Sequence, residues 1–420
     1  MKADLQINID GTWLSIATYE RTPAGGWLEY EPGYVIDQKD SPHNRAGLLY
    51  PVNFDLYECP RLPAFLVDII PAGAGRRVWL RRLGRSDDGS ADLDWDLLLT
   101  GSGNPPGNIR VRQALVEPPE QSHPGFSMEE IVSKKSDFIE YAEERGAVVA
   151  GATDISGDAP KFMVVRDQAG RWHPDGSLPP EKVVDSWIVK FPRGKTDRDR
   201  LILRNEAPYY EVARWFGVRT GAQLTYRDDC LFIPRFDREP VDGTLLYHGL
   251  ETVCSIAGIA EYGRRGCHFS FCSALARVAA DPSGEVLEYL KRDILNTALR
   301  NVDNHGRNTA VIKKRGTAVG LSPLFDFAPM SLDPDGIPRA SLWSGAESTI
   351  GRPDWGAVAR GVGEFIDVGT TIRFLALQST RVARLPAILQ QVGVESDVLR
   401  EVSRRCEEIA ADLEKAGRQV

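Results

Sequence analysis

At 420 residues the chain is too long for one small core, so two or more lobes are expected. A hydrophobic fraction of 42% and a charged fraction of 26% are those of an ordinary globular protein. A formal net charge of −8 argues against a chain whose main work is coating DNA or an anionic membrane.

Residues 5 to 35 alternate apolar and polar positions around Asp10-Gly11, a hairpin signal, and predict a small β meander. From Leu62 to Leu83 the pattern is helical in two pieces, broken by Pro71 and Gly73. Gly101 to Gly107 (G-S-G-N-P-P-G) superficially resembles a phosphate loop, but its prolines remove amide donors and Ile109-Val111 reads as a strand, so a plain loop is predicted. Residues 117–126 are a proline-rich connector and the expected boundary, followed by one helix over about Ser127 to Arg145. The segment from Asp154 leads through Ser156, Gly157, Asp158, Ala159 and Pro160 to Lys161 and an alternating strand. Trp187 to Pro192 is a strand with one lysine, Lys190, among apolar neighbours; such a cation must meet an anion or reach water. Asn205 to Phe216 predicts a helix that places Pro208 in its first turn and stops at Gly217. Glu206 at its start, or alternatively Glu211, is the expected ion-pair partner of Lys190. Leu231 to Arg238 is a strand running into Pro234, then Arg235 and Phe236. Beyond it, a helix with Leu287, Leu290, Ile294, Ala298 and Leu299 on one side delivers Asn301 and Asp303 into a loop, and two or three amphipathic helices fill the chain from Ile366 onward.

That loop carries the chemistry. Asp303 and Asn308 stand five residues apart in D-N-H-G-R-N, and Asp326-Phe327-Ala328 follows a hairpin-like spacer. Protein kinases use this order: one aspartate accepts the hydroxyl proton, while an asparagine and a later D-F-G aspartate bind magnesium on the nucleotide phosphates. Asp, Asn and Gly also cap ordinary turns, so the order of the upstream elements decides between the two readings.

Lysine strand, glutamate helix, hinge strand, D-x-H-x-x-N and D-F, in this order, resemble the HipA-like bacterial serine/threonine kinases, the toxin halves of HipA/HipB toxin-antitoxin modules. The most specific matches are Asn205-Glu206, R-F-D-R at Arg235 to Arg238, D-N-H-G-R-N at Asp303 to Asn308, and L-S-P-L-F-D at Leu321 to Asp326. The resemblance implies an α+β, bilobal protein-kinase-like fold: residues 1–120 an α/β subdomain, 121–238 the rest of a mixed amino-terminal lobe, and 239–420 a mainly helical lobe. It implies ATP and Mg²⁺ as cofactors, Asp303 as proton acceptor, Asn308 and Asp326 as magnesium ligands, Lys190 on the phosphates, His305 beside the nucleotide, Pro234, Arg235 and Phe236 as the adenine hinge, and Ser156 to Lys161 over the phosphates. It also implies autophosphorylation of a loop serine, whose added charge of about −1.5 to −2 would repel the loop from a polyphosphate. Aligned on Gly157, the usual serine falls at Asp154, so Ser156 is the expected regulatory site. Pro234 stands where relatives often have glutamate. The implied partners are a protein substrate of the translation apparatus, an aminoacyl-tRNA synthetase or translation factor, and a HipB-like helix-turn-helix antitoxin through which DNA is mainly contacted.

The alternatives are a small-molecule kinase of similar fold and a catalytically silent subunit that holds an antitoxin at its operator. Cys267, His268 and Cys272 lack a fourth ligand nearby and are read as core or loop, and no G-x-S-x-G supports a hydrolase. Six cysteines without a C-x-x-C pair, no apolar block at the start and no run of about 18 apolar residues predict a cytoplasmic protein without a membrane span.

Overall fold

The computed structural model describes residues 1–116, 123–145, 151–154, 157–347 and 351–418. The expected connector therefore lies partly, and Ser156 wholly, outside the described residues. By contact the chain forms two compact units, 1–195 with 224–251 and 312–317, and 196–223 with 252–311 and 318–420. The helix that the sequence groups with the amino-terminal lobe thus counts in the second unit.

The first unit holds two antiparallel five-stranded sheets. Strands β1 (Lys2–Ile9), β2 (Thr12–Thr22), β3 (Gly25–Tyr30), β4 (Tyr57–Cys59) and β5 (Ile109–Val111) lie in the order β4-β3-β2-β1-β5. The predicted meander forms because the period-two pattern puts Ala3, Leu5 and Ile7 on one face, where Leu66, Leu93 and Leu97 cover them. The two helical pieces at Ala64–Ile69 and Gly73–Leu83 are present as expected.

The second sheet comprises β6 (Lys161–Arg166), β7 (Trp172–Pro174), β8 (Asp185–Lys190), β9 (Thr225–Arg227) and β10 (Cys230–Pro234), in the order β7-β6-β8-β10-β9. Phe138, Phe162, Val189, Phe191 and Phe232 form its core. β6 does not alternate: Phe162, Met163, Val164 and Val165 are all buried, because both faces of the strand are covered. The single helix expected over Ser127 to Arg145 is two, Met128–Lys134 and Phe138–Glu144. A Ser127–Glu130 capping box starts the first, and Lys135, at φ 51° and with Nζ 2.7 Å from Asp229, ends it.

In the second unit, the helix expected from Asn205 begins eight residues earlier, at Asp197, through a Thr196–Asp199 capping box. Pro208 is therefore interior rather than in a first turn, and it removes one helical hydrogen bond there. Helix Pro282–Ala298 leads to the loop of Asp303, and helices Val368–Ala383, Leu385–Gln391 and Ser396–Gly417 follow. On helix Val368–Ala383, Leu375 is buried and Leu377 is 68% exposed. All six cysteines are free thiols, and among the described residues no helix is long and apolar enough to cross a membrane.

One buried ion cluster fixes the chain after β10. The Arg235 guanidinium donates to Asp237 at 2.9 and 2.8 Å and to Asp175, while Arg238 donates to Asp237 at 2.7 Å. Asp237 also accepts from the Gly107 amide at 2.8 Å, and Arg238 donates to the Pro105 and Gly107 carbonyls. Burial opposes the charged form of Asp237, but the two guanidiniums prevail and hold its carboxyl well below the usual range. Removing one partner leaves buried charge uncompensated. Arg235→Met is therefore expected to lower stability by roughly 3–5 kcal/mol in urea unfolding; a loss under about 1 kcal/mol would show the cluster to be dispensable.

Candidate functional site

The loop after helix Pro282–Ala298 is irregular from Leu299 to a single 3-10 turn at Gly306–Asn308. Within it the Asn308 side-chain amide donates to the Asp303 carbonyl at 2.9 Å and lies 3.4 Å from Asp303 Oδ2. His305 Nε2 is 3.4 Å from Asp303 Oδ1, and its Nδ1 is buried with no hydrogen-bond partner among the described residues. The structure thus gathers two of the predicted side chains, Asn308 and His305, around the half-buried Asp303 carboxylate. Gly306 is the residue that lets the turn close: a Cβ there would lie 2.6 Å from Phe271 and 2.7 Å from Cys254.

Asp326 is placed by its surroundings. It has φ 54°, a strained left-handed conformation for a residue with a side chain. Its neighbour Phe327 is buried against Tyr209, whose hydroxyl donates to the Leu299 carbonyl at 3.2 Å, so the base of the Asp303 loop and the D-F segment share one support. The run into Asp326 is held by charges that are remote in sequence. Arg219 donates to both oxygens of Glu285 and to the Leu321 carbonyl, Glu285 accepts from the Leu321 amide at 2.7 Å, and Arg292 donates to the Ser322 carbonyl at 2.6 Å.

In the first unit, Lys161 and Lys190 are register partners across β6 and β8, so both project from the same face of the sheet. Lys190 is buried and Lys161 half-buried. Gly157 has φ 121°, a backbone conformation that favours glycine, and the Lys161 ammonium lies 2.1 Å from where its Cβ would stand. The described part of the loop is tied to helix Gly73–Leu83: the Ala74 amide donates to the Gly157 carbonyl at 2.9 Å and Arg77 to the Asp158 carbonyl at 2.9 Å. Asp158 is exposed, and Ala159 and Pro160 are half-buried.

Pro234, Arg235 and Phe236 follow at the end of β10. Pro234 has no amide hydrogen and the Arg235 amide donates to Ser186 at 2.9 Å, so neither can donate from its backbone to a ligand; the Arg235 side chain belongs to the buried ion cluster. Glu206, in the second unit, is buried, whereas Glu211 pairs with Arg214 at 2.5 Å. Lys190 belongs to the first unit.

Asp154 is not an exposed stand-in for a phosphoserine. It is buried, with Oδ1 accepting from the Trp79 indole at 3.0 Å and Oδ2 from the Asn104 amide at 3.0 Å. Burial pushes its carboxyl up to about 7, against the lowering pull of those donors. The folded protein thus binds this proton more tightly than the unfolded chain. Its contribution to stability is full below about pH 4 and is lost as pH rises through 7. Asp154→Asn is expected to flatten the decline in melting temperature between pH 5 and 8; an unchanged slope would remove Asp154 as its source.

These two units, one of mixed sheets and helices with a lysine strand and one mainly helical with an Asp/Asn/Asp order, are those of a kinase-like α+β fold. Residues 153–410 match the family model of the HipA-like C-terminal domain, more than half of the chain, and the chain belongs to that family. Among solved structures it is similar to a chain of the Shewanella oneidensis MR-1 complex of HipA, HipB and operator DNA, with 17% identity and a TM-score of 0.69 over 98% of this chain and 97% of that one. Likeness at that identity shows the shared fold. The candidate kinase Y4mE of Sinorhizobium fredii is 28% identical over 185 residues, which take in 42% of this chain and 43% of the relative, so the match spans less than half of that curated protein. A weaker likeness, to the Helicobacter pylori proinflammatory kinase CtkA, covers 56% of this chain and 89% of that chain at 13% identity and a TM-score of 0.39, and nothing is built on it.

Proposed function

We propose that the chain is an ATP- and magnesium-dependent kinase that phosphorylates serine or threonine of a protein, and that it works as the toxin half of a HipA/HipB-like pair. The observation that carries this reading is the Asp303 carboxylate, flanked by Asn308 and His305 on a loop whose backbone is held at the Leu299 carbonyl by Tyr209 and at the Thr309 carbonyl by the Val253 amide. The residues present fit the cofactor. Because the Asn308 amide nitrogen is engaged by Asp303, its carbonyl oxygen is the atom that remains for a cation. With a carboxylate oxygen of Asp326, that gives the hard oxygen donors magnesium takes alongside phosphate oxygens and water. The opposed ammonium groups of Lys161 and Lys190 suit a polyphosphate, and the bare His305 Nδ1 suits a polar group beside it.

Bound Mg-ATP would supply the transferable phosphoryl group and screen its charge. Asp303 receives the proton of the acceptor hydroxyl at Oδ2, the oxygen 3.4 Å from the Asn308 amide. Asn308, by donating to the Asp303 carbonyl, holds that carboxylate and its own oxygen in a fixed relation. Lys161 and Lys190 bind and orient the phosphates as fixed charges. Two features support the partner side of the reading: membership of the HipA-like family, and the fold shared with a chain that occurs in complex with HipB and operator DNA. A HipB-like protein is the partner proposed here, and a protein of the translation apparatus the substrate.

Asp303→Asn is expected to lower phosphotransfer to lysate proteins by about 10²- to 10⁴-fold while leaving the melting temperature near that of the wild type. Transfer at the wild-type rate would exclude Asp303 as proton acceptor, and transfer confined to small hydroxyl compounds would replace the protein acceptor by a small molecule. Ser156 is the proposed autophosphorylation site. Incubation with Mg-ATP and phosphosite mapping should place phosphate on Ser156; phosphate found only elsewhere would refute this.

A further inference from the structure

The residue after Asp303 is Asn304, and unlike its neighbour it is buried, with both ends of its amide engaged. Its Nδ2 donates to Asp293 Oδ1 at 3.2 Å, and its Oδ1 accepts from the Ser341 amide at 3.3 Å. On the other side of Asp303, the Val302 carbonyl accepts from the Ala340 amide at 3.4 Å. The peptide carbonyl before Asp303 and the side chain of the residue after it are therefore both laid against one short segment, Ala340 and Ser341.

Asp293 stands behind this segment on helix Pro282–Ala298 and is 2% exposed. Besides Asn304, its carboxylate accepts from the Trp343 indole at 2.7 Å and from Arg339 Nη2 at 3.2 and 3.1 Å, and His268 Nε2 is 3.5 Å away. Arg339 also donates to Glu347 at 3.1 Å, and Glu347 accepts from the Trp343 amide at 2.8 Å. One buried carboxylate on the helix before the loop thus collects donors from the loop itself and from the segment beside it. Such a group has no second orientation that keeps its donors satisfied.

We infer that Asp293 and Asn304 are positioning residues that fix the Asp303 carboxylate for phosphoryl transfer, with Arg339 and Trp343 completing the support. The inference rests on the proton-acceptor role proposed for Asp303. A carboxylate that must meet a hydroxyl proton is sensitive to displacement, since an error of about 1 Å can cost on the order of 10²-fold in rate. Asp303 itself is half-buried, and the frame held at Val302 and Asn304 on either side of it sets the direction in which its side chain leaves the backbone.

The test compares wild type, D303N, D293N, N304A, D293N/N304A and the exchanged pair D293N/N304D. The measurements are phosphotransfer from labelled Mg-ATP, the nucleotide dissociation constant, and backbone hydrogen exchange over residues 301–305. D293N and N304A should each lower kcat by about 10- to 100-fold with nucleotide affinity within about twofold of wild type and faster exchange at 302–305, and D293N/N304A should be little worse than the worse single variant. The exchanged pair, which again sets one carboxylate against one amide, should recover part of kcat and of the protection; it also decides the matter if the single variants do not fold. Unchanged kcat in the single variants while D303N is dead would overturn the inference and leave the kinase reading standing. Full transfer by D303N, or none by wild type, would overturn the kinase reading instead, and slow exchange at 302–305 in D293N and N304A would then also refute the support of the loop.

Discussion

A carboxylate taken out of water must be surrounded by hydrogen-bond donors, and in this chain that requirement holds the irregular segments in place. Asp154 gathers the Trp79 indole and the Asn104 amide on the approach to β6. Asp237 gathers Arg235, Arg238 and the Gly107 amide after β10. Glu285 gathers Arg219 and the Leu321 amide on the way to Asp326, and Asp293 gathers Asn304, Arg339 and Trp343 beside Asp303. Regular pairing beside these carboxylates is short: Arg238–Val241, Gly320–Leu321 and Ser341–Leu342 are strands of four, two and two residues. A buried carboxylate adds to that pairing several donors that converge from different parts of the chain. The cost of burial is met only when all of them are in place, which makes each cluster cooperative and geometrically narrow.

Much of the local structure is legible in the sequence because it depends on local rules. The meander around Asp10-Gly11, the break at Pro71 to Gly73, β8 with its lysine, and the order Asp303, Asn308, Asp326 all follow from spacing and turn chemistry. Where expectation and structure part, a short-range signal is outweighed or overlooked. Thr196 and Asp199 form a capping box that starts the helix eight residues before Asn205, and tertiary packing then tolerates Pro208 inside it. Lys135 ends a helix that periodicity alone would continue. Leu377 faces water because the buried stripe of that helix runs through Ile372, Leu375 and Gln378, and two residues past Leu375 is nearly the opposite side.

The supports of the site are not legible in the same way, because their partners are distant. Asp175 and Arg235 are 60 residues apart, Arg219 and Glu285 are 66, and Asp293 and Trp343 are 50. No periodicity links such pairs, and each residue alone reads as one more surface charge. Asn304 is the sharpest case. In the string D-N-H-G-R-N it looks like one of two asparagines able to bind metal or cap a turn, and only its burial against Asp293 separates it from Asn308.

The lysine strand shows the same physics with the sign reversed. Lys161 and Lys190 stand directly opposite each other on one face, an arrangement that weakens a sheet by like-charge repulsion. Repulsion between two fixed cations falls when an anion lies before both, and it falls more as the anion carries more charge. Gly157, at φ 121°, brings backbone rather than a side chain up to the Lys161 ammonium. The left-handed backbone of Asp326 and the buried His305 Nδ1, without a hydrogen-bond partner among the described residues, are likewise local costs that the surrounding packing sustains.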